Sequence, residues 1–543
     1  MIKNVATVKK TNEIMVEFGL HAKKNFGQNF LVVQKTVTDI IDLANIDEDS
    51  VIIEIGPGIG ALTDVLLDRF KKVICFEIDK SLIEPLKHTF SDKDNFELYN
   101  EDILKVDLDK FINENLKNEK VVIFSNLPYY ITSEILTKLF VIKGVHQVVT
   151  MMQKEVAHRI LKADKGKDEN ELTLLAKHYC DFKLIKEVSK NDFFPKPHID
   201  STVLSFTIKE NVPNINETVK ILFKQRRKTI YNNLTENYEK DFVINMLNKL
   251  NLNVSLRSED LTIIDIELID AYLKNKLLFA PAKINLNLQV LDIKDGKHRL
   301  KSVVQKINLY DEIIVDDCDS LILDCNGVKT EDNTIYKVIK KMEEVIKEEI
   351  HLYIKVIKNI PSQAGLGGGS SDAASVLLYL NQKYNLDDET LNNIAISVGS
   401  DIPLFLKDGS VLIEETGEKI TLLEDNSTLF YLLIKDDFGI NTRDSYKTFD
   451  ELNERDNFDF DNLYLGLKNN DYQLIVRNIK NDLLKPALKL ENKMVKLMKK
   501  YPNSFLTGSG STIFIPFENI ENATYLYNNI KNKHYFVKIV QKI

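Results

Sequence analysis

Two glycine-rich turns, roughly three hundred residues apart, constrain the fold of this 543-residue chain more than any other feature. The first lies in EIGPGIGALT (54–63) and the second in IPSQAGLGGGSSDAASVL (360–377). Each turn follows an apolar, strand-like run and precedes a helical pattern, so backbone amides and a helix N-terminus can meet one ligand there. The two turns predict two nucleotide sites, each in its own half of the chain.

Composition and the apolar pattern exclude several classes of protein. With 44% hydrophobic and 28% charged residues, the chain is globular rather than disordered. It has no run of 18 apolar residues, and its beginning, MIKNVATVKKTNE, lacks the apolar core of a signal peptide. We therefore expect a cytoplasmic protein with no membrane partner. The four cysteines form no CxxC pair, which predicts reduced thiols rather than a metal site or a disulfide framework.

The charge distribution bears on nucleic-acid binding. The net charge of −9 excludes a bulk nucleic-acid binder, and no DNA partner is expected. Residues 151–250 are the local exception, with 18 Lys and Arg against 14 Asp and Glu, and they include FKQRRK (223–228). We predict that Arg226 and Arg227 of this cluster bind RNA phosphates, with a solvated helix face as the alternative.

The periodicity of apolar residues changes twice along the chain. Helical patterns alternate with short apolar runs at 51–56, 72–79, 121–129 and 145–153. This rhythm indicates a mostly parallel, doubly wound, Rossmann-like α/β sheet. Polar helical segments replace the strands from about 210, and strand alternation returns at 277. We therefore predict an α/β domain at 1–205, a small helical, RNA-binding domain at 206–275, and a separate second half from 277.

Two acidic residues accompany the first glycine turn. Gly56 and Gly58 let the backbone approach a ligand at the carboxyl edge of the sheet. Glu77, about twenty residues further on, can accept from both hydroxyls of a ribose, and Asp102 can accept from an adenine amino group. The two carboxylates together favour an adenosine ligand, although each one alone is equally typical of a helix cap.

The stretch SNLPYYIT (125–132) indicates the chemistry at this edge. It resembles the Asn/Asp-Pro-Pro-Tyr type of motif of amino-group methyltransferases. The Asn126 side-chain oxygen and the Leu127 carbonyl can accept the two hydrogens of a base amino group, which directs the nitrogen lone pair at a methyl donor. Tyr129 can stack on the extruded base.

Five ordered motifs over residues 12–275 carry a resemblance to one family. KKNFGQNFL (23–31), EIGPGIGALT, NLPYYIT, DFFPKPHIDSTV (192–203) and FKQRRKTIYNNL (223–234) together resemble the small-subunit ribosomal RNA adenine dimethyltransferases of the KsgA type. The resemblance implies S-adenosylmethionine as cofactor and small-subunit ribosomal RNA and pre-30S particles as partners. The implied reaction dimethylates the N6 amino groups of two adjacent adenines near the 3′ end of that RNA. The implied cofactor residues are Asn29, Leu31, Gly56, Glu77, Asp102 and Asn126, and Phe193 joins Tyr129 around the adenine.

The chain departs from this family pattern at two positions. Tyr231 stands where an arginine usually follows, which removes one RNA contact, and Phe194 occupies a variable position beside Phe193. Large-subunit methyltransferases that confer macrolide resistance share the first motifs, but FKQRRKT and the full helical domain favour the small-subunit family. A non-catalytic ribosome-assembly factor is the contrasting hypothesis, and the intact NLPYY and Glu77 argue against it.

The second glycine turn differs from a Walker A loop, because no Gly-Lys-Ser/Thr follows it. Its glycines allow backbone amides to converge on the end of a helix that starts near Ser370, which predicts a triphosphate ligand. Gly365, Gly367, Gly368 and Gly369, with Ser370 and Ser371 at the helix start, are the predicted contacts of that ligand. Lys283 and Asn285 alternate onto one strand face, Asn285 toward the substrate, and Asp401 lies at a turn. Phosphoryl transfer to an alcohol needs a cation and a carboxylate, which Lys283 and Asp401 supply.

The second half resembles the GHMP kinases, and among them 4-diphosphocytidyl-2-C-methyl-D-erythritol kinase of the non-mevalonate isoprenoid route. PAKINL, EDN (331–333), PSQAGLGGGSSDAA, GSDIPLF, NDL (481–483) and TGSGST appear in order over residues 277–543. The resemblance implies an α+β fold of two subdomains, 277–425 and 426–543. The implied reaction phosphorylates the 2-hydroxyl of that cytidylyl substrate with ATP and Mg²⁺, whose protein ligands stay unassigned.

Residue roles in the second half follow from the same resemblance. Residues 361–371, from Pro361 to Ser371, are the implied ATP contacts. Lys283 and Asp401 are the implied catalytic pair, and His298 lies beside the cytidine. The family's Gly-Tyr-His is Gly-Lys-His at 296–298, so one aromatic contact to the cytosine is missing. We predict that Tyr446 stacks on the base instead. Homoserine and mevalonate kinases are the alternative assignments.

Overall fold

The computed structural model describes residues 3–23, 28–128, 131–162, 170–294, 296–325, 329–452 and 456–543, and of Lys297 the backbone alone. The chain divides into two compact units, Met1–Asp270 (the first unit) and Ala271–Ile543 (the second unit). This division falls six residues before the join predicted at 277. The finer bounds at 205/206 and 425/426 stay predictions.

The first unit alternates helices and strands and then becomes helical. Its elements are α1 (Val8–Glu17), β1 (Phe30–Leu31), α2 (Gln34–Ala44), β2 (Val51–Ile55), α3 (Ala61–Arg69), β3 (Lys72–Phe76), α4 (Ile83–Thr89), β4 (Phe96–Tyr99), α5 (Leu108–Asn115), β5 (Val121–Asn126), α6 (Thr132–Leu139), β6 (Val145–Gln153), α7 (Lys154–Lys162), α8 (Glu171–Tyr179), β7 (Cys180–Val188), β8 (Phe193–Phe194), β9 (Ser201–Ile208), α9 (Asn216–Phe223), α10 (Ile230–Leu234), α11 (Lys240–Lys249) and α12 (Ile263–Leu273). The last turn of α12 lies beyond the division between the units.

A doubly wound sheet organises the first unit. Its strand order is β4-β3-β2-β5-β6-β9-β7, with parallel pairs from β4 to β6 and antiparallel pairs at β9. Every residue of β2 is buried, because helices cover both faces of a parallel sheet, and this explains why four of the five residues at 51–55 are apolar. The chain order reverses between β2 and β5, and ligands bind at the carboxyl ends of strands at such a switch point.

The helical part of the first unit follows β9, as the sequence predicts. Its helices are held by buried polar contacts as well as by apolar packing. The Asn233 amide donates to the Leu222 carbonyl over 2.6 Å, and the Thr218 hydroxyl donates to Asp270 over 2.7 Å. Buried polar groups with satisfied hydrogen bonds fix a unique packing. The first contact closes the turn between α9 and α10, and the second joins α9 to α12.

The second unit combines sheets with helices that are not in strict alternation with the strands. Its elements are β10 (Leu277–Lys294), β11 (Lys297–Asp317), β12 (Ile322–Cys325), α13 (Thr334–Ile346), β13 (Leu352–Ile357), α14 (Gly368–Tyr384), α15 (Asp388–Val398), α16 (Ile402–Phe405), β14 (Val411–Glu415), β15 (Lys419–Leu422), β16 (Phe430–Lys435), α17 (Thr442–Glu451), α18 (Phe460–Asn469), α19 (Tyr472–Asn478), β17 (Lys480–Asn481), α20 (Leu484–Leu490), α21 (Asn492–Lys500), β18 (Phe505–Leu506), β19 (Ile513–Phe517), α22 (Ile520–Ile530) and β20 (Phe536–Gln541).

Two sheets divide the second unit. The first has the path β12-β13-β11-β10-β17, with β14 pairing β11 and β15 pairing β14, and the second has the order β18-β19-β16-β20. The long hairpin β10–β11 is the centre of the first sheet. The fold class predicted from the sequence, a Rossmann-like α/β unit with a helical tail followed by an α+β unit, is confirmed. Within the described residues, no helix is both long and apolar enough to cross a membrane.

Candidate active sites of the two units

A cavity at the carboxyl edge of the first unit's sheet gathers the residues predicted to hold a cofactor. Its lining includes all of these predicted residues, which are Asn29, Leu31, Gly56, Gly58, Glu77, Asp102 and Asn126. They come from β1, from the ends of β2, β3 and β5, and from the loop after β4. The structure therefore brings the residues predicted for this site together at one edge of the sheet, and it adds Glu54 and Ile78 to the lining.

The glycine turn after β2 has a backbone that side chains would not tolerate. Gly56, Gly58 and Gly60 have φ of 68°, 62° and 92°, in the left-handed region that favours glycine. A Cβ on Gly60 would lie 2.5 Å from the Phe90 ring, and one on Gly58 would lie 3.2 Å from Phe30. The glycines thus bring the turn close against its neighbours and open the cavity above it.

Glu77 joins the end of β3 to this turn. Its carboxylate accepts from the Gly58 amide over 3.2 Å and from the Asp79 amide over 2.8 Å. Burial raises the pKa of Glu77 to about 7, and the hydrogen bonds from Asp79 and Gly58 act against that rise. The raised pKa therefore places the ligand-free Glu77 carboxyl close to its titration point at neutral pH.

Glu54 is a second buried carboxyl in this cavity, and the sequence analysis missed it. It accepts from the Thr63 hydroxyl over 2.7 Å, and burial raises its pKa to about 7, with the charge of Glu77 adding to the rise. A charged residue inside the otherwise apolar strand VIIEI was the signal that could have identified it. Two buried carboxyls facing one cavity suit a cationic ligand.

Asp79 anchors the segment that precedes β1. It accepts from the Lys23 ammonium over 2.7 Å and from the Gln28 amide over 2.8 Å. Burial raises the pKa of Asp79, but the hydrogen bonds from Lys23, Ser81 and Gln28 outweigh this and lower it to about 2. Asp79 is thus an ionised anchor, which the sequence analysis did not single out.

Asn126 ends β5 at the cavity. Its amide nitrogen donates to the Asn29 carbonyl over 3.3 Å, so the donor side of the amide is engaged and its oxygen is the side that can accept. Tyr129, the predicted stacking residue, lies outside the described residues.

The two neighbouring phenylalanines of β8 have opposite environments. Phe193 pairs with Leu31 and is only 4% exposed in the core, whereas Phe194 pairs with Phe30 and is 37% exposed. Consecutive strand residues point to opposite faces, which explains the difference. Phe193 as the ring that meets the adenine stays a prediction, and Phe194 is the ring that solvent reaches.

The basic cluster of the helical part lies in the turn after α9. Arg226 and Arg227 are exposed, and within the described chain neither forms an ion pair. The flanking Lys224 and Lys228 instead bind Glu236, over 2.8 and 3.1 Å. Both lysine ammonium groups are therefore held by one carboxylate, whereas the two arginines have no anionic partner among the described residues.

Lys283 is the centre of the site in the second unit. It is 5% exposed, and its ammonium donates to the Asn285 side chain over 2.6 Å and to the Gly365 carbonyl over 2.8 Å. Burial lowers the pKa of Lys283, and the negative charge of Asp401 acts in the opposite direction. The predicted cation, the predicted carboxylate and the glycine turn therefore lie together.

The glycine turn of this unit packs against the TGSGST segment. A Cβ on Gly365, whose φ is 70°, would lie 2.2 Å from the Thr507 carbonyl, so only glycine fits there. The Thr507 hydroxyl accepts from the backbone amide of Asn285 over 3.1 Å. This contact joins the TGSGST segment to the strand that carries Lys283, and the Lys283–Gly365 contact joins the glycine turn to the same strand.

The remaining predicted ATP residues lead from β13 into α14. Pro361 lies after β13, and Gly367 has φ of 75° as the cap before the helix. Gly368, Gly369, Ser370 and Ser371 form the first turn of α14, whose positive end faces the site. The Ser371 hydroxyl is buried and makes no hydrogen bond within the described part of the chain.

A buried ion cluster beneath this helix start was not predicted from the sequence. Lys358 binds Asp311 of β11 and Asp372 of α14, the latter over 2.7 Å. Asp311 also accepts from the amides of Asn359 and Ile360, over 2.6 and 2.8 Å. Burial raises the pKa of Asp372 to about 7, and the Lys358 ammonium acts against that rise. The cluster fixes the loop that leads into the glycine turn.

His298 and Tyr446 form one stacked pair. Their ring centroids are 4.9 Å apart with an interplanar angle of 25°, and His298 Nε2 lies 2.8 Å from Asp450 Oδ1. Burial raises the pKa of Tyr446, and the charge of Asp401 adds to the rise, so the phenol is within electrostatic reach of the predicted catalytic carboxylate. Asp450 was missed by the sequence analysis.

These folds and sites define the first unit as a Rossmann-like methyltransferase and the second as an enzyme of the GHMP kinase fold. Residues 19–272 match the model described as Ribosomal RNA adenine dimethylase, and residues 333–409 match GHMP kinases N terminal domain. The chain belongs to the ribosomal RNA adenine dimethylase family.

Three relatives illustrate these similarities. Ribosomal RNA small subunit methyltransferase A of Bacillus pumilus (strain SAFR-032) is 40% identical over 249 residues, 44% of this chain and 84% of that protein. The protein of the same name from Bacillus licheniformis (strain ATCC 14580) is 35% identical over 295 residues, 51% of this chain and all of that protein. A crystal structure of 4-(cytidine 5′-diphospho)-2C-methyl-D-erythritol kinase is 24% identical, covering 49% of this chain and 100% of that chain, with a TM-score of 0.43.

The family assignments confirm the fusion recognised in the sequence. They imply S-adenosylmethionine and ribosomal RNA for the first unit and ATP for the second.

Proposed function

We propose that the first unit transfers methyl groups from S-adenosylmethionine to the N6 atoms of two adjacent adenines near the 3′ end of small-subunit ribosomal RNA, within pre-30S particles. The observation that carries this proposal is the orientation of Asn126 at the cofactor cavity. Its amide nitrogen is engaged by the Asn29 carbonyl, so its oxygen is available to a base amino group. An amino group can donate one hydrogen to the Asn126 oxygen and one to the Leu127 carbonyl, whereas a hydroxyl has a single hydrogen to donate.

The cavity fits the cofactor. S-adenosylmethionine supplies a sulfonium-bound methyl group when it is bound. Glu77 and Asp102 would hold its ribose and adenine, and the turn at Gly56 and Gly58 leaves room for its methionine moiety. The buried carboxyls of Glu54 and Glu77, both with a pKa raised to about 7, complement a cation. Asn126 and the Leu127 carbonyl then hold the target amino group in position for transfer.

A methylation assay tests this proposal. The purified chain with radiolabelled S-adenosylmethionine should methylate small-subunit particles that lack the modification and yield N6,N6-dimethyladenine. Large-subunit particles serve as the matched alternative substrate. Transfer to large-subunit RNA alone contradicts the assignment, and RNA binding without transfer to either particle supports the assembly-factor hypothesis instead.

We further propose that the second unit phosphorylates the 2-hydroxyl of 4-diphosphocytidyl-2-C-methyl-D-erythritol, so that the chain is bifunctional. The supporting observation is the stacked pair of His298 and Tyr446 within electrostatic reach of Asp401. An aromatic pair within electrostatic reach of the predicted catalytic carboxylate suits an acceptor that carries a nucleobase, whereas homoserine and mevalonate offer no ring to stack.

The chemistry of this step needs few groups. Asp401 accepts the proton of the attacking hydroxyl, and Lys283 stabilises charge that develops on the transferred phosphoryl group. Magnesium keeps several waters and phosphate oxygens as ligands and needs few from the protein. The described residues hold no group of three or more His, Cys, Asp or Glu side chains suited to a metal. The buried Ser371 hydroxyl fits the part of a protein ligand to a phosphate-bound Mg²⁺.

A competition between acceptors tests the second proposal. The full chain is incubated with ATP, Mg²⁺ and, separately, the cytidylyl substrate, homoserine or mevalonate, and ADP release is measured. We expect turnover with the cytidylyl substrate alone. Faster turnover with homoserine or mevalonate contradicts the cytidine assignment and leaves the kinase class intact.

A further inference from the structure

The last turns of helix α17 hold His298 by two different contacts. Tyr446 and Asp450 are four residues apart, so they lie on the same face of α17. Tyr446 stacks on the imidazole ring, and Asp450 Oδ1 lies 2.8 Å from its Nε2 atom. His298 itself comes from another element, β11, where it pairs with Ile293 of β10. One helix therefore sets both the plane and the rotation of a ring on a distant hairpin.

The contact with Asp450 also decides which ring nitrogen carries the proton. A carboxylate only accepts, so the nitrogen facing it must be the N–H donor. With the proton held on Nε2, a neutral imidazole presents Nδ1 as an acceptor. Asp450 thus converts His298 into a hydrogen-bond acceptor of fixed direction, while Tyr446 keeps the ring from turning.

We propose that Asp450 is a positioning residue that makes the second unit select cytosine over uracil. The inference rests on the proposed function, in which His298 lies beside the nucleobase. Cytosine and uracil differ at position 4, where cytosine carries an amino donor and uracil a carbonyl acceptor. An imidazole acceptor can accept a hydrogen bond from the cytosine amino group. Against uracil, the same nitrogen lone pair would face a lone pair of the carbonyl oxygen, and no hydrogen bond could form. A site whose polar group loses its hydrogen-bond partner with the wrong base discriminates between two bases more strongly than the shape of the site alone does.

Other carboxylates near α17 do not supply this contact. Glu451, the next residue, binds Lys489 over 3.3 Å, and both side chains are more than half exposed. Asp444, in the first turn of α17, lies next to the N-cap Asn441, which accepts from its amide. Asp450 is therefore the carboxylate of this helix that acts on His298, and Glu451 provides a matched control of equal charge.

Binding of cytidine and uridine 5′-diphosphate to the full chain tests the proposal. Dissociation constants of both nucleotides, and of ATP as an independent check of the fold, are measured for the wild type, Asp450→Ala, Asp450→Asn and Glu451→Ala. We expect the wild type to prefer the cytidine nucleotide and Asp450→Ala to lose about tenfold or more of that preference, the equivalent of one hydrogen bond. Asp450→Asn keeps an acceptor and should restore most of the preference, and Glu451→Ala should match the wild type.

The outcomes separate this inference from the function beneath it. An unchanged preference in Asp450→Ala overturns the role of Asp450 and leaves the cytidylyl substrate in place. Equal loss of cytidine, uridine and ATP binding in that variant reveals a structural role only and also overturns the inference. A wild type that binds neither diphosphate overturns the cytidine assignment together with the inference.

Discussion

At the scale of single residues, the amide of Asn126 is the group whose change should affect transfer most selectively. It touches the Asn29 carbonyl and, in the proposed reaction, the target amino group, but it forms no part of the buried carboxyl pair. Asn126→Ala should lower kcat by about a hundredfold or more, because one positioning group of this type contributes several kcal/mol to the transition state.

Single-turnover methylation and RNA binding measured on the same variant check this. The RNA dissociation constant should change little. Asn115→Ala, in which the lost amide donates only to the Phe111 carbonyl of its own helix, is the control and should methylate normally. A variant Asn126→Ala with full activity contradicts the proposed mechanism.

The carboxyls of Glu54 and Glu77 predict a dependence of cofactor affinity on pH. Burial raises the pKa of both to about 7, so each is partly protonated at neutral pH in the free protein. A cationic ligand favours the ionised forms, and affinity for S-adenosylmethionine should rise by about tenfold per carboxyl between about pH 6 and pH 8. Ionising a buried carboxyl is disfavoured in the folded state. The free energy of unfolding of the ligand-free unit should therefore fall as the pH rises through about 7.

Calorimetric titration across this pH range measures the effect. Glu54→Gln should remove about half of the slope on a logarithmic scale, whereas Glu119→Gln, an exposed partner of Lys71, should leave it unchanged. An affinity that is flat with pH in the wild type contradicts the assignment of these carboxyls to a cationic ligand.

At the scale of elements, the turn after α9 should give salt-dependent RNA binding through two arginines rather than four cations. Arg226→Ala and Arg227→Ala should each reduce the slope of log affinity against log salt by about 0.7 to 0.9, because each removes one phosphate contact. Lys224→Ala should change it less, since the Lys224 ammonium is already held by the Glu236 carboxylate. Filter binding over a salt series measures the slopes, and equal slopes in all three variants contradict the role of this turn.

The ion cluster that ties β11, β13 and α14 together should be a stability element of the second unit. Lys358→Met leaves Asp311 and Asp372 buried without their cation, which should cost about 3 kcal/mol or more. Lys341→Met breaks only an exposed pair with Glu344 and should cost about 1 kcal/mol or less. Urea unfolding of the two variants compares these costs, and equal midpoints contradict the argument.

The elements predictable from the sequence were those whose burial is local. The run 145–153 coincides with β6, because the apolar residues of this segment are themselves the ones that are buried in the strand. The runs at 72–79 and 121–129 extend beyond β3 and β5, because apolar residues such as Leu127 continue into the cavity lining. The contacts of Lys358 and of Asp450 join segments distant in sequence, and no local pattern reports such pairing. The orientation of Phe193 and Phe194 depends on which face of β8 meets the core, which their adjacency alone cannot decide.

At the scale of the whole molecule, each unit contains its own hydrophobic core. One core cluster draws its residues from Val5 to Val203, and others draw theirs from Ala280 to Val540. Fragments 1–275 and 277–543, cut so that α12 stays whole, should therefore fold separately and show the methyltransferase and kinase activities respectively. Circular dichroism, thermal unfolding and both assays test this against the full chain. An insoluble fragment, with the other soluble, contradicts the prediction that each core is complete.

The division at Asp270 and Ala271 gives synthesis on the ribosome a direction. Chains emerge N-terminus first at about 5 to 20 residues per second, so the 273 residues of the second unit take roughly 14 to 55 seconds to follow the first. The methyltransferase unit can therefore finish folding while the kinase unit is still being translated. A message broken near its middle yields the methyltransferase unit alone. Every kinase unit is made with a methyltransferase unit attached, so the number of kinase units synthesised from this chain can equal but not exceed the number of methyltransferase units.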